Sequence, residues 1–453
     1  MVSPERWDIG VWEGITERDV ETVLESQDAR KEEIRMTATL NLTRKEELLA
    51  ELARDVKHAP ARVPTPASDP VLAKFRALGT ELWLDTGNLE EASKLWRLEM
   101  SALTTNNTLA NQVVQTGIMD EVIKEVARRV KEVEPGISED ELVLDVVFVV
   151  NCHIALRLVR AFDAMVSVEL HPAVGHDIEK TVRYAQRYIA IQPDRFIVKI
   201  PLTPEGYCAV ARVRAENIPI NYTLGFSARQ NYLAALLSKP NYVNVFLGRL
   251  NAVVADNKLG DGKFVGEKVT LTSQAAVREL RETYADIPTH QIAASMRSAE
   301  QMISLAGVDV YTIPPKAVAE FYEQGHTAAD LTLRTGEHYE VKLGDGTDKS
   351  AVEVLWTIDD NFKKFAAQLA SRGGVNLSGD DLRAADKDFG TKLFSNFTPD
   401  EQTAIRTKGK IPETAPWAGR ASLDDLMTES ALQSFIVDQK AFDDRIRKVI
   451  AEA

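Results

Sequence analysis

Between residues 82 and 313 the chain repeats one unit eight times: a short apolar, β-branched run and then a stretch of helical periodicity. The runs are Leu82–Asp85, Ala102–Asn106, Met165–Leu170, Phe196–Ile200, Ile218–Leu224, Tyr242–Leu250, His290–Met296 and Val308–Ile313. Strands alternating with helices predict a parallel sheet covered by those helices. Eight such units in roughly 250 residues match the size of a closed α/β (β/α)8 TIM barrel. The alternative is a doubly wound open sheet. No Gly-x-Gly-x-x-Gly follows an early strand, so its dinucleotide-binding form has little support.

The remainder divides around this barrel. Residues 1–66 read as a helical N-terminal extension ending in the stiff linker Pro60-Ala61-Arg62-Val63-Pro64-Thr65-Pro66, where prolines fix the backbone and remove donors. Residues 67–334 hold the barrel and residues 335–453 a mostly helical C-terminal extension. Within the barrel, helices are expected over 108–132 and 272–284, and Ser138 with Glu141 three residues on predicts a capped helix to about Ala164. In the extension, Tyr339–Leu343 reads as an extended piece, with helices over 352–369, 379–393 and 423–451. A loop holding Pro412 and Pro416 separates the last two.

The formal net charge is −14. That argues against sequence-independent nucleic-acid binding, which needs clustered Lys and Arg, but leaves room for a local cationic pocket. Cys152 and Cys208 are the only cysteines and are far apart, which gives no disulfide framework or zinc pattern. The opening Met1-Val2-Ser3-Pro4-Glu5-Arg6-Trp7 lacks a basic n-region followed by an apolar core. No apolar run approaches about 18 residues without charges. The expectation is a cytoplasmic protein with no membrane span; a homo-oligomer is compatible with it.

Lys199 stands in the apolar run Phe196–Ile200. A lysine there is either paired, pushed toward the neutral amine, or at a strand end where it snorkels to water. A neutral, desolvated amine is a nucleophile toward carbonyl carbon. In barrel enzymes chemistry sits where strands end, and other strand ends here carry functional side chains: Asp85, Asn106, Glu169, Asn221 and Thr223, Asn244 with Phe246 and Arg249, and Ser295 with Arg297. Each has a duller reading, since Asp85 and Asn106 are good turn or cap residues and Glu169 and Arg249 could form structural ion pairs. Taken together they supply an amine, two carboxylates, amides and hydroxyls for sugar hydroxyls, and two arginines for a phosphate.

These residues lie in motifs that resemble those of the transaldolases. Leu84-Asp85-Thr86-Gly87-Asn88 is similar to the opening Asp-Thr-Ala/Gly motif, Leu103-Thr104-Thr105-Asn106-Asn107 to Thr-Thr-Asn-Pro, and Val166-Ser167-Val168-Glu169 to Val-Ser-x-Glu. Val198-Lys199-Ile200-Pro201 through Glu205-Gly206 resembles the Schiff-base strand, and Asn221-Tyr222-Thr223 with Phe226-Ser227 the segment after it. Phe246-Leu247-Gly248-Arg249, Ala294-Ser295-Met296-Arg297 and Thr312-Ile313-Pro314-Pro315-Lys316 complete the series in order, over about residues 80–325.

The resemblance implies a class I mechanism without metal or other cofactor, in the non-oxidative pentose phosphate pathway. A dihydroxyacetone unit would pass from sedoheptulose 7-phosphate or fructose 6-phosphate to glyceraldehyde 3-phosphate or erythrose 4-phosphate. It casts Lys199 as the Schiff-base lysine, Glu169 as acid/base through a water shared with Thr223, and Asp85 as the base for carbon–carbon cleavage. Asn106 and Asn221 would bind the three-carbon unit, Asn244 would touch it, Phe246 and Ser295 would line the substrate site, and Arg249 and Arg297 would hold the phosphate. Two positions depart from the family pattern: Asn107 replaces proline, and Asn244 replaces serine in the three-carbon site. The nearest alternative is a fructose 6-phosphate aldolase-like lyase; those relatives usually carry tyrosine at the Phe246 position.

Overall fold

The computed structural model describes residues 43–56, 60–64 and 66–452. Its strands are β1 (Glu81–Asp85), β2 (Met100–Thr104), β3 (Met165–Glu169), β4 (Phe196–Pro201), β5 (Ile220–Thr223), β6 (Tyr242–Phe246), β7 (His290–Ala294) and β8 (Val310–Ile313). Each pairs in parallel with the next, and β8 closes on β1. The chain forms the expected (β/α)8 barrel. Every residue of β4 is buried, because side chains fill the interior while helices cover the outside. Below the functional ends, Trp83 meets Tyr242 edge to face at 4.7 Å between ring centres.

Four local expectations need correction. The strand expected over Tyr242–Leu250 stops at Phe246, and Leu247–Asp256 is a helix. The first helical turn is buried like the strand before it, and a short apolar run does not by itself distinguish the two. Arg249 is therefore a helix residue. The helix expected over 108–132 is two, Asn107–Gln115 and Asp120–Val133, broken where Gly117 takes φ +82°. The helix expected from 272 begins at Val265. In the extension, 352–369 splits into Lys349–Glu353 and Asp360–Arg372, the second capped by Asp359 accepting from Phe362 N–H at 2.7 Å. A helix that the sequence reading passed over, Pro399–Thr407, carries a full signal: Thr398 as N-cap, Pro399 first, and Glu401 closing a capping box.

The helices expected over residues 1–57 lie outside the described residues except for Arg44–Arg54. The described linker residues, 60–64 and 66, form neither helix nor strand. Tyr339–Leu343 contributes one isolated antiparallel bridge, Leu343 to Gly260. Among the described residues one helix, Glu139–Phe162, is long and apolar enough by composition to cross a membrane, but 89% of its apolar window is buried inside the molecule. It packs on Arg44–Arg54 and β3.

The helix Leu423–Ala451 crosses the C-terminal ends of the strands. Asp424, fully buried, accepts from Ser227 Oγ at 2.7 Å and from Arg229 Nε and Nη2 at 2.8 and 2.9 Å. Thr428 Oγ1 donates to the Leu224 carbonyl at 3.0 Å, just beyond β5. Asp438 accepts from Thr108 Oγ1, and Asp443 lies 3.3 Å from His171 Nε2, tying the helix to the start of the helix after β2 and to the loop after β3. Removing one partner of a buried ion pair leaves the other charge uncompensated. Asp424→Ala should lower unfolding free energy by about 3–5 kcal/mol in urea titrations, and the double variant Arg229→Met/Asp424→Leu should recover most of that loss.

Candidate active site

Parallel register builds the centre of the site. Glu169 on β3 pairs with Lys199 on β4, and Lys199 with Asn221 on β5. Paired positions on adjacent parallel strands face the same side, so the three side chains stand in one row inside the barrel. Lys199 and Glu169 are each 5% exposed, and Lys199 Nζ lies 3.4 Å from Glu169 Oε2. The same ammonium donates to the Thr105 carbonyl at 3.3 Å. The lysine is buried beside a carboxylate and does not snorkel to water.

Burial drives the electrostatics. It raises the Glu169 carboxyl to about 7, against the opposing charge of Lys199. Burial also raises Asp85, while Lys199 and the hydrogen bond from Thr104 pull it down. Thr104 Oγ1 sits 2.6 Å from Asp85 Oδ1 and 2.5 Å from Thr312 Oγ1. Two carboxyl groups near a buried amine thus hold their protons more tightly than in water, a pattern typical of proton-transferring groups.

Asn221 Nδ2 donates to Ser167 Oγ at 3.1 Å. Asn221 Oδ1 and Thr223 Oγ1 are buried with no hydrogen-bond partner among the described residues. Asn106 accepts from Leu109 N–H at 2.9 Å, so it does cap the helix Asn107–Gln115, while its side chain also lines the central cavity. Asn244 lines the same cavity, but its amide is engaged elsewhere: Nδ2 donates to the Tyr222 carbonyl at 2.7 Å and Oδ1 accepts from Gly225 N–H at 3.2 Å. Its polar ends fasten β5 to β6.

That cavity, of about 170 Å³, is also bordered by Asp85, Lys199, Phe246, Arg249 and Ser295. Arg249 is 6% exposed, with its guanidinium 5.7 Å from the Phe246 ring and 5.9 Å from that of Phe435. Its Nη atoms lie 3.4 and 3.3 Å from Ser434 Oγ, and it has no ion pair among the described residues. Burial, then the like charge of Arg297, lowers it to about 10. Gly248 is required at this corner: a Cβ there would collide with the Ser295 carbonyl and come within 2.6 Å of Arg297 Cγ. Ser295 itself adopts φ +60°, a conformation uncommon for a residue with a side chain. Arg297 is exposed and lies off the cavity wall.

Sequence reasoning missed Thr104 and Thr312 as partners around Asp85, and Lys410 and Phe435 as cavity walls. The threonines stand in motifs already singled out. The other two belong to the C-terminal extension, and no local pattern says where they pack. Among the described residues no group of three or more His, Cys, Asp or Glu is placed to hold a metal ion. Cys152 and Cys208 are free and buried.

Side chains for chemistry gathered where parallel strands end are the mark of barrel enzymes, and this chain is an enzyme of that class. Residues 82–373 match the family model described as Transaldolase/Fructose-6-phosphate aldolase, and the chain belongs to that family. A probable transaldolase of Aquifex aeolicus is 31% identical over 258 residues, 56% of this chain and 93% of that protein. A transaldolase of Chlamydia pneumoniae is 30% identical over 237 residues, 49% of this chain and 69% of its own length. A probable transaldolase of Dictyostelium discoideum is 27% identical over 304 residues, covering 62% and 88% respectively.

The Glu169 environment makes a pH prediction. A carboxyl raised from 4.5 to about 7 on folding binds its proton more tightly in the folded state. The stability it contributes is complete below about pH 4.5 and is lost as pH rises through about 7. Glu169→Gln should remove that loss, so its stability between pH 5 and pH 8 should fall less than that of the wild type, by on the order of 1–3 kcal/mol, in urea titrations at the two pH values.

Proposed function

We propose that this enzyme is a transaldolase working through a Schiff base on Lys199. The observation that carries the reading is the buried Lys199–Glu169 pair, 3.4 Å apart, with the Glu169 carboxyl raised by burial to about 7. A carboxyl that exchanges its proton near neutrality suits dehydration of a carbinolamine beside the amine that forms it.

The amine of Lys199 adds to the ketose C2 carbonyl. Glu169 gives a proton to the departing hydroxyl, water leaves, and the iminium remains. Asp85 takes the proton of the C4 hydroxyl, the C3–C4 bond breaks, and an aldehyde departs. The bonding pair moves into the iminium nitrogen to leave an enamine holding the three-carbon dihydroxyacetone unit. An acceptor aldose phosphate then takes that unit by the reverse steps, and water releases Lys199. Asn221 and Thr223, whose buried oxygens have no partner among the described residues, support this reading as acceptors for the unit's hydroxyls and for a transferred water. Arg249 and Arg297 would hold the phosphate, and small soluble sugar phosphates in the cytoplasm are the expected partners. Sedoheptulose 7-phosphate and fructose 6-phosphate are the proposed donors, with glyceraldehyde 3-phosphate and erythrose 4-phosphate as acceptors.

Borohydride trapping with fructose 6-phosphate, followed by peptide mass spectrometry, tests the mechanism. The expected result is a three-carbon adduct on Lys199 that disappears when erythrose 4-phosphate is added and is absent in Lys199→Met. Free dihydroxyacetone released at the rate of donor consumption would identify an aldolase instead, and no adduct on any lysine would end the Schiff-base reading. For the phosphate assignment, Arg249→Ala should raise KM for erythrose 4-phosphate by about 10- to 100-fold, the loss of a charge-assisted contact. The rise for unphosphorylated glyceraldehyde should be much smaller; equal rises would remove the assignment.

A further inference from the structure

The barrel strands and their loops leave one wall of the central cavity to be built from elsewhere. Lys410 and Phe435, both from beyond residue 400, line it. Phe435 and its neighbour Ser434 bracket Arg249, the ring at 5.9 Å from the guanidinium and the hydroxyl at 3.3–3.4 Å from its two Nη atoms. Neither contact neutralises the arginine.

Lys410 differs from the lysine two residues before it. Lys408 is paired to Glu413 at 2.7 Å, whereas Lys410 has no hydrogen bond or ion pair among the described residues. Its loop is held from two sides. Ser430 Oγ donates to the Gly409 carbonyl at 3.4 Å, from the helix Leu423–Ala451. Asn257, just past the helix after β6, donates to the Pro412 carbonyl at 3.0 Å and accepts from Thr414 N–H at 2.9 Å. A held loop that places the exposed Lys410, without an ion pair, on the wall of a cavity also bordered by a buried guanidinium without an ion pair suits a multiply charged anion. The carboxylates whose charge reaches Arg249 have other partners: Asp438 accepts from Thr108 Oγ1, and Glu169 lies 3.4 Å from Lys199 Nζ.

We infer that the C-terminal extension completes the substrate-phosphate subsite, with Lys410 as a direct phosphate ligand and Ser434 and Phe435 as positioning residues for Arg249. This rests on the proposed function for the identity of the anion as a sugar phosphate. The extension then sets the preference for phosphorylated over unphosphorylated sugars, whereas the barrel alone carries the carbon–carbon chemistry.

Inorganic phosphate is the probe, titrated calorimetrically into the full chain. Lys410→Gln should weaken phosphate binding about five- to tenfold, Lys410→Arg should retain most of it, and Lys408→Gln, next to the site but paired with Glu413, should leave it unchanged. In turnover, Lys410→Gln should raise KM for erythrose 4-phosphate more than it lowers kcat. Phe435→Leu should weaken phosphate binding through Arg249, and adding Phe435→Leu to Arg249→Ala should bring little further loss. Unchanged phosphate binding in Lys410→Gln, alongside a large loss in Arg249→Ala, would overturn the inference and leave the transaldolase reading intact. Weakened phosphate binding in Lys410→Gln without any borohydride adduct on Lys199 would uphold the anion subsite and overturn the Schiff-base reading.

Discussion

The register between β3, β4 and β5 is the constraint on which the site depends. Glu169, Lys199 and Asn221 meet only because each stands opposite the next across parallel strands. A slip of one residue in β4 would turn Lys199 onto the helical layer and put Val198 or Ile200 in its place. Barrel closure fixes that register, because eight strands have to return β8 to β1 with a consistent stagger. The apolar residues flanking the lysine on β4, all buried, therefore do more than fill space: they hold one amine against one carboxylate.

This placement works against stability at the residues that matter most. Isolated in water, Glu169 and Asp85 would be ionised at neutral pH; inside the barrel burial lifts both. Near Arg249 the same effect acts on a cation, lowered by burial and by Arg297. The surrounding scaffold compensates with fully satisfied polar contacts elsewhere, such as Arg229 with Asp424 and Asp309 with Arg281 and Gln274. The contrast between satisfied scaffold groups and unsatisfied central ones separates a structural polar network from a reactive one.

Much of this was legible in the sequence where a residue's surroundings are themselves local. The apolar run around Lys199 announces a buried strand, and Asn106 ahead of Asn107–Gln115 reads correctly as a cap. Legibility fails where an apolar run changes from strand to helix without punctuation, as at Phe246 and Leu247. It also fails for Asn244, whose side chain is drawn into backbone hydrogen bonds across β5 and β6. The cavity contributions of Lys410 and Phe435 had no local signal at all. They lie about 100 residues past β8, and their position follows from tertiary packing of an extension whose own periodicity says only that it is helical. The helix Pro399–Thr407, by contrast, is marked by a purely local signal, the capping box of Thr398 with Glu401.

The path of the helix Leu423–Ala451 across the strand ends, fastened at Asp424, Asp438 and Asp443, has a consequence for the order in which function arises. During synthesis the strands and Lys199 emerge well before residue 423. A nascent barrel could therefore close its hydrogen-bonded ring while its mouth still stood open to solvent. The cavity that Lys199 and Arg249 both line acquires its finished wall only when Lys410 and Phe435 pack onto it. Assembly of the scaffold and maturation of the pocket are separate events along the chain, and an enzyme built this way delays full competence until much of its polypeptide has been made.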